Sequence, residues 1–364
     1  MNRYCFGSRV AATTVLALGI QLASGQWTAT NLHPAGSLDS VARGVSSTDQ
    51  VGQAFFGSDY RAARWTGSAG SYLDLTPAGA SAARIRGTDG SQQVGVATFG
   101  FTENAALWTG TGASFSNLHP LSMFSSKANA VASGKQVGEV TVSSSGPGHA
   151  AEWTGSAASF IDRHPAGYLN SNATAATATE LAGTATTFSG EMHAAFWQPL
   201  SSTFTDLHPS TASISAVNAM TSTNQYGWVN FSGTDHAAIW AGSAATHLDV
   251  NPSGAGGSVI WGAYGDRQVG RAFLSGWKAG IWTGTSASFV NLHSYLPSGY
   301  SQSEAFAVWT DGSSTRVAGW AFNVAESRNE AVVWTAVPEP ATIASLSLGV
   351  MALMRRRRGS RSKS

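Results

Sequence analysis

His193-Ala194-Ala195-Phe196-Trp197, followed shortly by Phe204-Thr205-Asp206-Leu207-His208-Pro209, is the stretch whose reading decides the fold. The first piece is too small on both sides of the chain for a half-exposed strand. The second ends in a turn. Together they recur. Trp65, Trp108, Trp153, Trp197, Trp240, Trp282 and Trp334 are separated by 43, 45, 44, 43, 42 and 52 residues. Twelve residues past each of the first six ends the same turn: Asp74–Pro77, Asn117–Pro120, Asp162–Pro165, Asp206–Pro209, Asp249–Pro252 and Asn291–Ser294. A period in the low forties is the mark of one supersecondary unit stacked many times.

Each unit carries four strand-like segments. The first alternates with Ala, as in Lys127-Ala128-Asn129-Ala130-Val131; the second is Gln-Val-Gly-like, as in Gln136-Val137-Gly138. The third ends on the Trp, and the fourth holds the Asp or Asn before the turn. Short strands with turn residues between them predict an all-β chain. In the third segment the positions three and two before the Trp are small: Ala62-Ala63, Ala105-Ala106, Ala150-Ala151, Ala194-Ala195, Ala237-Ala238, Ala279-Gly280 and Ala331-Val332. Neighbouring strand residues face opposite sides, so both faces meet another sheet closely, with the Trp filling the gap. Four-stranded sheets stacked face to face about an axis make a β-propeller; an open solenoid stacks similarly.

The ends favour the ring. Trp27-Thr28-Ala29-Thr30-Asn31-Leu32-His33-Pro34 is a fourth segment without the first three, and the Trp334 unit has no fourth. Pairing the N-terminal strand with the C-terminal blade yields seven complete four-stranded blades. An open array would need polar capping repeats, and none is visible.

Residues 1–25 read as a secretory signal peptide: Arg3 and Arg9, an apolar run from Val10 to Leu22, then Ala23-Ser24-Gly25 with cleavage expected after Gly25. Residues 337–364 read as a second processing signal. Pro338-Glu339-Pro340 precedes an uncharged run from Ala341 to Met354, then Arg355-Arg356-Arg357-Arg358. This order resembles the PEP-CTERM sorting signal. The resemblance implies an exosortase-type membrane protease as processing partner beside signal peptidase, a transient C-terminal transmembrane helix, and delivery to the cell envelope or outside. The repeats of residues 26–336 resemble those of extracellular HAF-repeat proteins, His193–Trp197 with Asp206-Leu207 matching best; that implies an extracellular propeller and no particular activity.

Composition excludes several functions. The lone cysteine, Cys5, lies in the signal peptide, so the mature chain has no disulfide framework and no thiolate chemistry. Charged residues are 11% of the chain, with 41 Gly, which suits strands and tight turns. Without the two ends, 13 basic residues face 19 acidic ones, and no basic stripe suggests nucleic acid.

No catalytic, cofactor-binding or metal-ligating set is expected. His33, His119, His164, His208 and His293 share one repeat position, and His149, His193 and His236 another. Equivalent positions on separate blades are dispersed, whereas a metal needs converging ligands. The Asp before the turn interchanges with Asn, which fits turn capping and not proton transfer. The 52-residue gap contains an enlarged loop, His293 to Ser303, whose Tyr295 and Tyr300 are candidates to stack on a sugar ring; Trp228, Trp261, Trp277, Trp309 and Trp320 read as core filling. The function expected is an exported, non-enzymatic surface or matrix protein binding an exopolysaccharide or other envelope component. A polysaccharide hydrolase or lyase and a purely structural matrix protein are the alternatives.

Overall fold

The computed structural model describes residues 26–198 and 203–337. They form a seven-bladed β-propeller of four-stranded antiparallel sheets. Six blades follow one another in the chain, spanning residues 39–74, 82–117, 125–162, 170–206, 214–249 and 258–291. The closing blade takes strands Tyr300–Thr310, Thr315–Asn323 and Arg328–Val337, with Gln26–Asn31 added along its outer edge. The ring is therefore sealed by both ends of the repeat region. Leu32 N–H donates to Ala331 O at 2.8 Å. Leu75, Leu118 and Leu207 make the same bond to Ala62, Ala105 and Ala194 within their own blades.

The core lies between blades. All seven repeat tryptophans are at most 5% exposed. Trp153 packs among Val94, Leu107 and Leu118 of the preceding blade and Val131 and Val140 of its own. The paired alanines before it keep the sheets close enough for one indole to span the gap.

The Gln and Gly of the second strand have separate tasks. Gln50, Gln93, Gln136, Gln225 and Gln268 each accept, through Oε1, the N–H of the glycine two residues past the Trp, at 2.7–2.9 Å. The glycines Gly52, Gly95, Gly138, Gly183, Gly227, Gly270 and Gly319 stand against a first-strand carbonyl; a Cβ there would lie 1.9–2.0 Å from that oxygen. Such an approach is open only to glycine. It accompanies a β-bulge just beyond the carbonyl in the first strand of every blade.

The polar turn sequence ties neighbouring blades. His33 N–H donates to Asn31 Oδ1 at 2.6 Å, so the Asp or Asn caps the turn as its interchange implied. The His33 ring continues the link: Nε2 meets Ser37 O at 2.9 Å and Nδ1 meets Ser40 Oγ at 2.7 Å. A carbonyl can only accept, so Nε2 carries the proton and Nδ1 accepts from the serine. Ser40 Oγ in turn accepts Ala331 N–H at 2.9 Å, from the preceding blade. His119–Ser126, His164–Ser171, His208–Ser215 and His293–Ser303 make the same His–Ser contact. Where Thr76 replaces the histidine, Ala83 replaces the serine, and Thr76 Oγ1 itself accepts Ala62 N–H at 3.0 Å.

The enlarged loop is shorter than the sequence suggested. Leu292–Tyr295 is a 3-10 turn and the closing blade's first strand begins at Tyr300. Much of the longer repeat is instead longer strand, of 11, 9 and 10 residues against the usual 6–8.

Candidate functional site

The extra residue of each bulge is Arg43, Arg86, Asn129, Thr174, Asn218, Trp261 and Phe306. All seven line one cavity of about 640 Å³ on the propeller axis. Pockets of about 300–1,000 Å³ are the usual size for small ligands. The repeated glycine thus has a functional consequence: by admitting the bulge, it directs one side chain per blade into the channel. These side chains share a position but not a chemistry: two Arg, two Asn, one Thr, one Trp and one Phe.

The other lining residues lie toward one end of the channel. Gln53, Tyr60, Arg84, Asn172, Arg271 and Glu304 complete the wall. Tyr60 sits beside the turn between second and third strands. In an antiparallel four-stranded blade, that turn and the connection between blades share one face. This is the face toward which the cavity climbs. Exposed apolar side chains gather on the same turns and connections, including Leu38, Phe101, Leu121, Phe124, Leu169 and Phe188.

Neighbouring bulge residues are linked around the axis. Arg86 Nη1 donates to Asn129 Oδ1 at 3.2 Å, and Asn129 Nδ2 to Ala173 O at 2.9 Å. Thr174 Oγ1 donates to Val217 O at 2.6 Å, and Asn218 Nδ2 to Ile260 O at 2.8 Å. Trp261 Nε1 donates to Glu304 Oε1 at 2.5 Å. Arg43 lies over the Phe306 ring, 4.6 Å from its centroid.

Charge is unevenly spread. Of the 13 basic residues between the two ends, four arginines line this one cavity, against Glu304 as its only acidic lining residue among those described. Glu304 is 6% exposed and fully engaged, accepting from Trp261 and Trp320 and paired with Arg271 at 3.1 Å. Arg84 pairs with Glu103 at 3.4 Å and covers the Tyr60 ring at 4.3 Å. Arg43 and Arg86 have no carboxylate within 4 Å among the described residues. Burial, and for Arg43 next the charge of Arg86, lower both guanidinium pKa values. An arginine stays charged through such a shift.

Three of the extra tryptophans depart from core filling, whereas Trp309 packs against the core as expected. Trp261 lines the channel, Trp320 donates to Glu304 at 3.1 Å, and Trp277 carries Arg271 at 4.1 Å from its ring. Their confinement to the second half of the chain was the visible signal, because it places them around one side of the ring.

Tyr295 and Tyr300 do not line the cavity. Tyr295 is 37% exposed at the end of its 3-10 turn. Tyr300 OH donates to Glu330 Oε2 at 2.7 Å and accepts Asn31 Nδ2 at 3.2 Å, bridging the strands that close the ring. The second histidine set caps the turns as well: His149, His193 and His236 Nδ1 each lie 2.7 Å from Asp162, Asp206 and Asp249. Among the described residues, no three His, Cys, Asp or Glu converge as a metal site would require.

The signal peptide with Gly25, and the segment bearing Pro338, Glu339, Pro340 and Arg355–Arg358, lie outside the described residues. Among those described, no helix is long and apolar enough to cross a membrane. A model of the PEP-CTERM protein-sorting motif matches residues 336–358, and so marks the chain for export. No curated protein matches the chain in sequence. Among solved structures, a puromycin-hydrolysing peptidase of Mycobacterium tuberculosis matches at TM-score 0.54 with 12% identity, over 85% of this chain and 56% of its own. A puromycin hydrolase matches at TM-score 0.52 with 8% identity, over 83% and 56%. One of two prolyl endopeptidases matches at 0.50 with 10% identity, over 83% and 51%. The chain spans about half the length of these peptidases, and at such identities the likeness is one of fold alone.

Proposed function

We propose that this is a binding protein of the cell surface or extracellular matrix that holds a glycan or another envelope component at the mouth of its axial channel. One observation carries the reading: what repeats in the sequence holds the blades together, and what varies between repeats meets in the channel. Grafting a site onto an invariant frame leaves variation where the ligand is. The HAF-like repeat pattern agrees with an extracellular setting. The lining also suits a ligand rich in hydroxyls, with Gln53, Asn172 and Asn218 lining the same cavity as the rings of Trp261 and Phe306.

Binding is preferred to catalysis because Glu304, the acid of the lining, already takes two indole N–H groups and a guanidinium. A general acid or base needs to exchange its proton with a substrate. Signal peptidase and an exosortase-type protease are the proposed processing partners. A mature protein with an intact C-terminus at Ser364, by mass spectrometry, would contradict that processing.

The test is a glycan array probed with the exported protein, its Trp261→Ala variant, and Tyr295→Ala and Tyr300→Ala. Binding lost with Trp261→Ala supports the channel. Loss with the tyrosine variants alone moves the site to the Tyr295 loop. No binding to any glycan refutes the reading. Turnover of a polysaccharide abolished by Glu304→Gln would favour the hydrolase or lyase alternative.

A further inference from the structure

The links around the channel have one gap. From Arg86 to Arg43, going round by Asn129, Thr174, Asn218, Trp261 and Phe306, bulge residues or their blades meet through hydrogen bonds or ring contacts. Between Arg43 and Arg86, on adjacent blades, no bond closes the circle. Two guanidiniums from adjacent blades line the cavity there, Arg43 half-buried and Arg86 exposed to it, and among the described residues neither has a carboxylate within salt-bridge distance. Like charges at neighbouring positions of one wall repel, and an anion held between them offsets that repulsion. Arg84, on the same strand as Arg86, also lines the wall but is paired with Glu103 at 3.4 Å, which leaves Arg43 and Arg86 as the two without a carboxylate. The chain between the two ends is net acidic, so this concentration is not a by-product of overall composition.

We propose that the gap between Arg43 and Arg86 is the seat of an oxyanion carried on a sugar ring, so that the ligand is an acidic glycan. This rests on the reading of the channel as a glycan site. Each guanidinium can present two parallel N–H groups to a carboxylate, and one anion between two forks would complete the circle. The Phe306 ring lies beneath Arg43 and Trp261 is its neighbour, with ring centroids 6.2 Å apart. A pyranose whose carboxylate meets the guanidiniums would set its apolar face toward these rings. Gln53 and Asn172 are within the same wall to meet its hydroxyls.

The experiment is calorimetric titration of the exported protein with three probes: an oligomannuronate hexasaccharide, the same hexasaccharide with its carboxyls reduced, and inorganic phosphate. Arg43→Gln and Arg86→Gln are measured alongside, each with a melting curve without ligand. The acidic hexasaccharide is expected to bind, to weaken with added salt, and to bind about tenfold or more tightly than the reduced one. Each variant should lose about ten- to a hundredfold in affinity, as expected for a lost charge-assisted contact. The ligand-free melting temperature of Arg86→Gln should stay level or rise, because a like-charge neighbour is removed; a purely structural arginine would lower it. Equal binding of acidic and reduced hexasaccharides, unmoved by the variants, overturns the seat and leaves glycan binding standing. Phosphate binding lost with Arg86→Gln, in the absence of saccharide binding, overturns the sugar and leaves a free-anion site. Lowered stability with unchanged affinity overturns the proposal as well. Failure of every probe together with a blank glycan array removes both readings.

Discussion

The second-strand glycine gives the sharpest test of the link from repeat to channel, and Gly138 is a suitable instance. A Cβ on Gly138 would sit 1.9 Å from Lys127 O and 2.9 Å from Ala128 Cα, both backbone atoms. Real Cβ contacts keep at least 3.0 Å, so the carbonyl must retreat by about 1.1 Å. No flexible side chain can absorb that shift. It falls on the ladder that pairs Lys127 with Glu139 and Ala128 with Gly138, directly before the bulge that projects Asn129. Overpacking of this kind costs about 1–3 kcal/mol, and each strained ladder hydrogen bond about 1 kcal/mol more. Gly138→Ala should therefore destabilise by about 3 kcal/mol, which lowers the melting temperature of a ring of about 310 residues by roughly 5 °C. Gly70→Ala is the matched control, since a Cβ there meets nothing within 4 Å and its φ is ordinary. It should be neutral or gain up to about 1 kcal/mol through the unfolded chain. Scanning calorimetry of both variants beside the parent decides the matter. A Gly138→Ala melting point within 1 °C, roughly the size of a neutral surface change, would refute the argument that glycine is required by the bulge.

Three further outcomes follow from the framework. Trp153→Ala removes a side chain with no exposure from between two blades and should cost about 3–5 kcal/mol in a denaturant titration. Tyr300→Phe deletes the hydroxyl that donates to buried Glu330, whose pKa is lowered because Tyr300, Arg328, Asn323 and Asn31 donate to it and outweigh its burial. A bond to a charged group is worth about 1.5–3 kcal/mol, so the urea midpoint should fall while glycan binding holds; the reverse pattern would make Tyr300 a stacking platform. The pKa values of His33, His119, His164, His208, His247 and His293 are lowered, chiefly by burial. The unfolded chain, whose histidines titrate near 6.5, then binds more protons than the folded one. Stability should be level above about pH 7.5 and decline as pH falls through 6.5 toward 5; a melting temperature constant over that range would contradict it.

The frame was legible because each of its devices leaves a residue of fixed type at a fixed interval. Trp fills a gap of fixed width, paired alanines set that width, and Asp or Asn caps a turn. The half-unit at Trp27 told that the ring is closed by both ends. Some partners were hidden. The His–Ser link crosses between blades, and seven residues of sequence do not show that Ser40 also accepts from Ala331. The paired loss of both residues at Thr76 and Ala83 was nonetheless a readable trace of it. The tryptophans of the second half were read as core because hydrophobic size was the only criterion, whereas Trp261 and Trp320 are placed by their N–H bonds to Glu304.

The site was illegible for a different physical reason. In a regular strand, Asn129 would alternate with Ala128 and Ala130 and face a neighbouring blade. The bulge breaks this period, and a bulge is a property of pairing between strands, so the first strand's own residues do not announce it. Its signature lies on the partner, in a glycine that the sequence shows seven times without saying what approaches it. Taken together, the two strands turn a conserved backbone contact into a variable side chain on the axis. That division lets the ring keep its inter-blade packing whichever residues fill the channel. It also permits Arg43 and Arg86 to line one wall without a carboxylate partner, because the hydrogen bonds that hold their blades are made elsewhere.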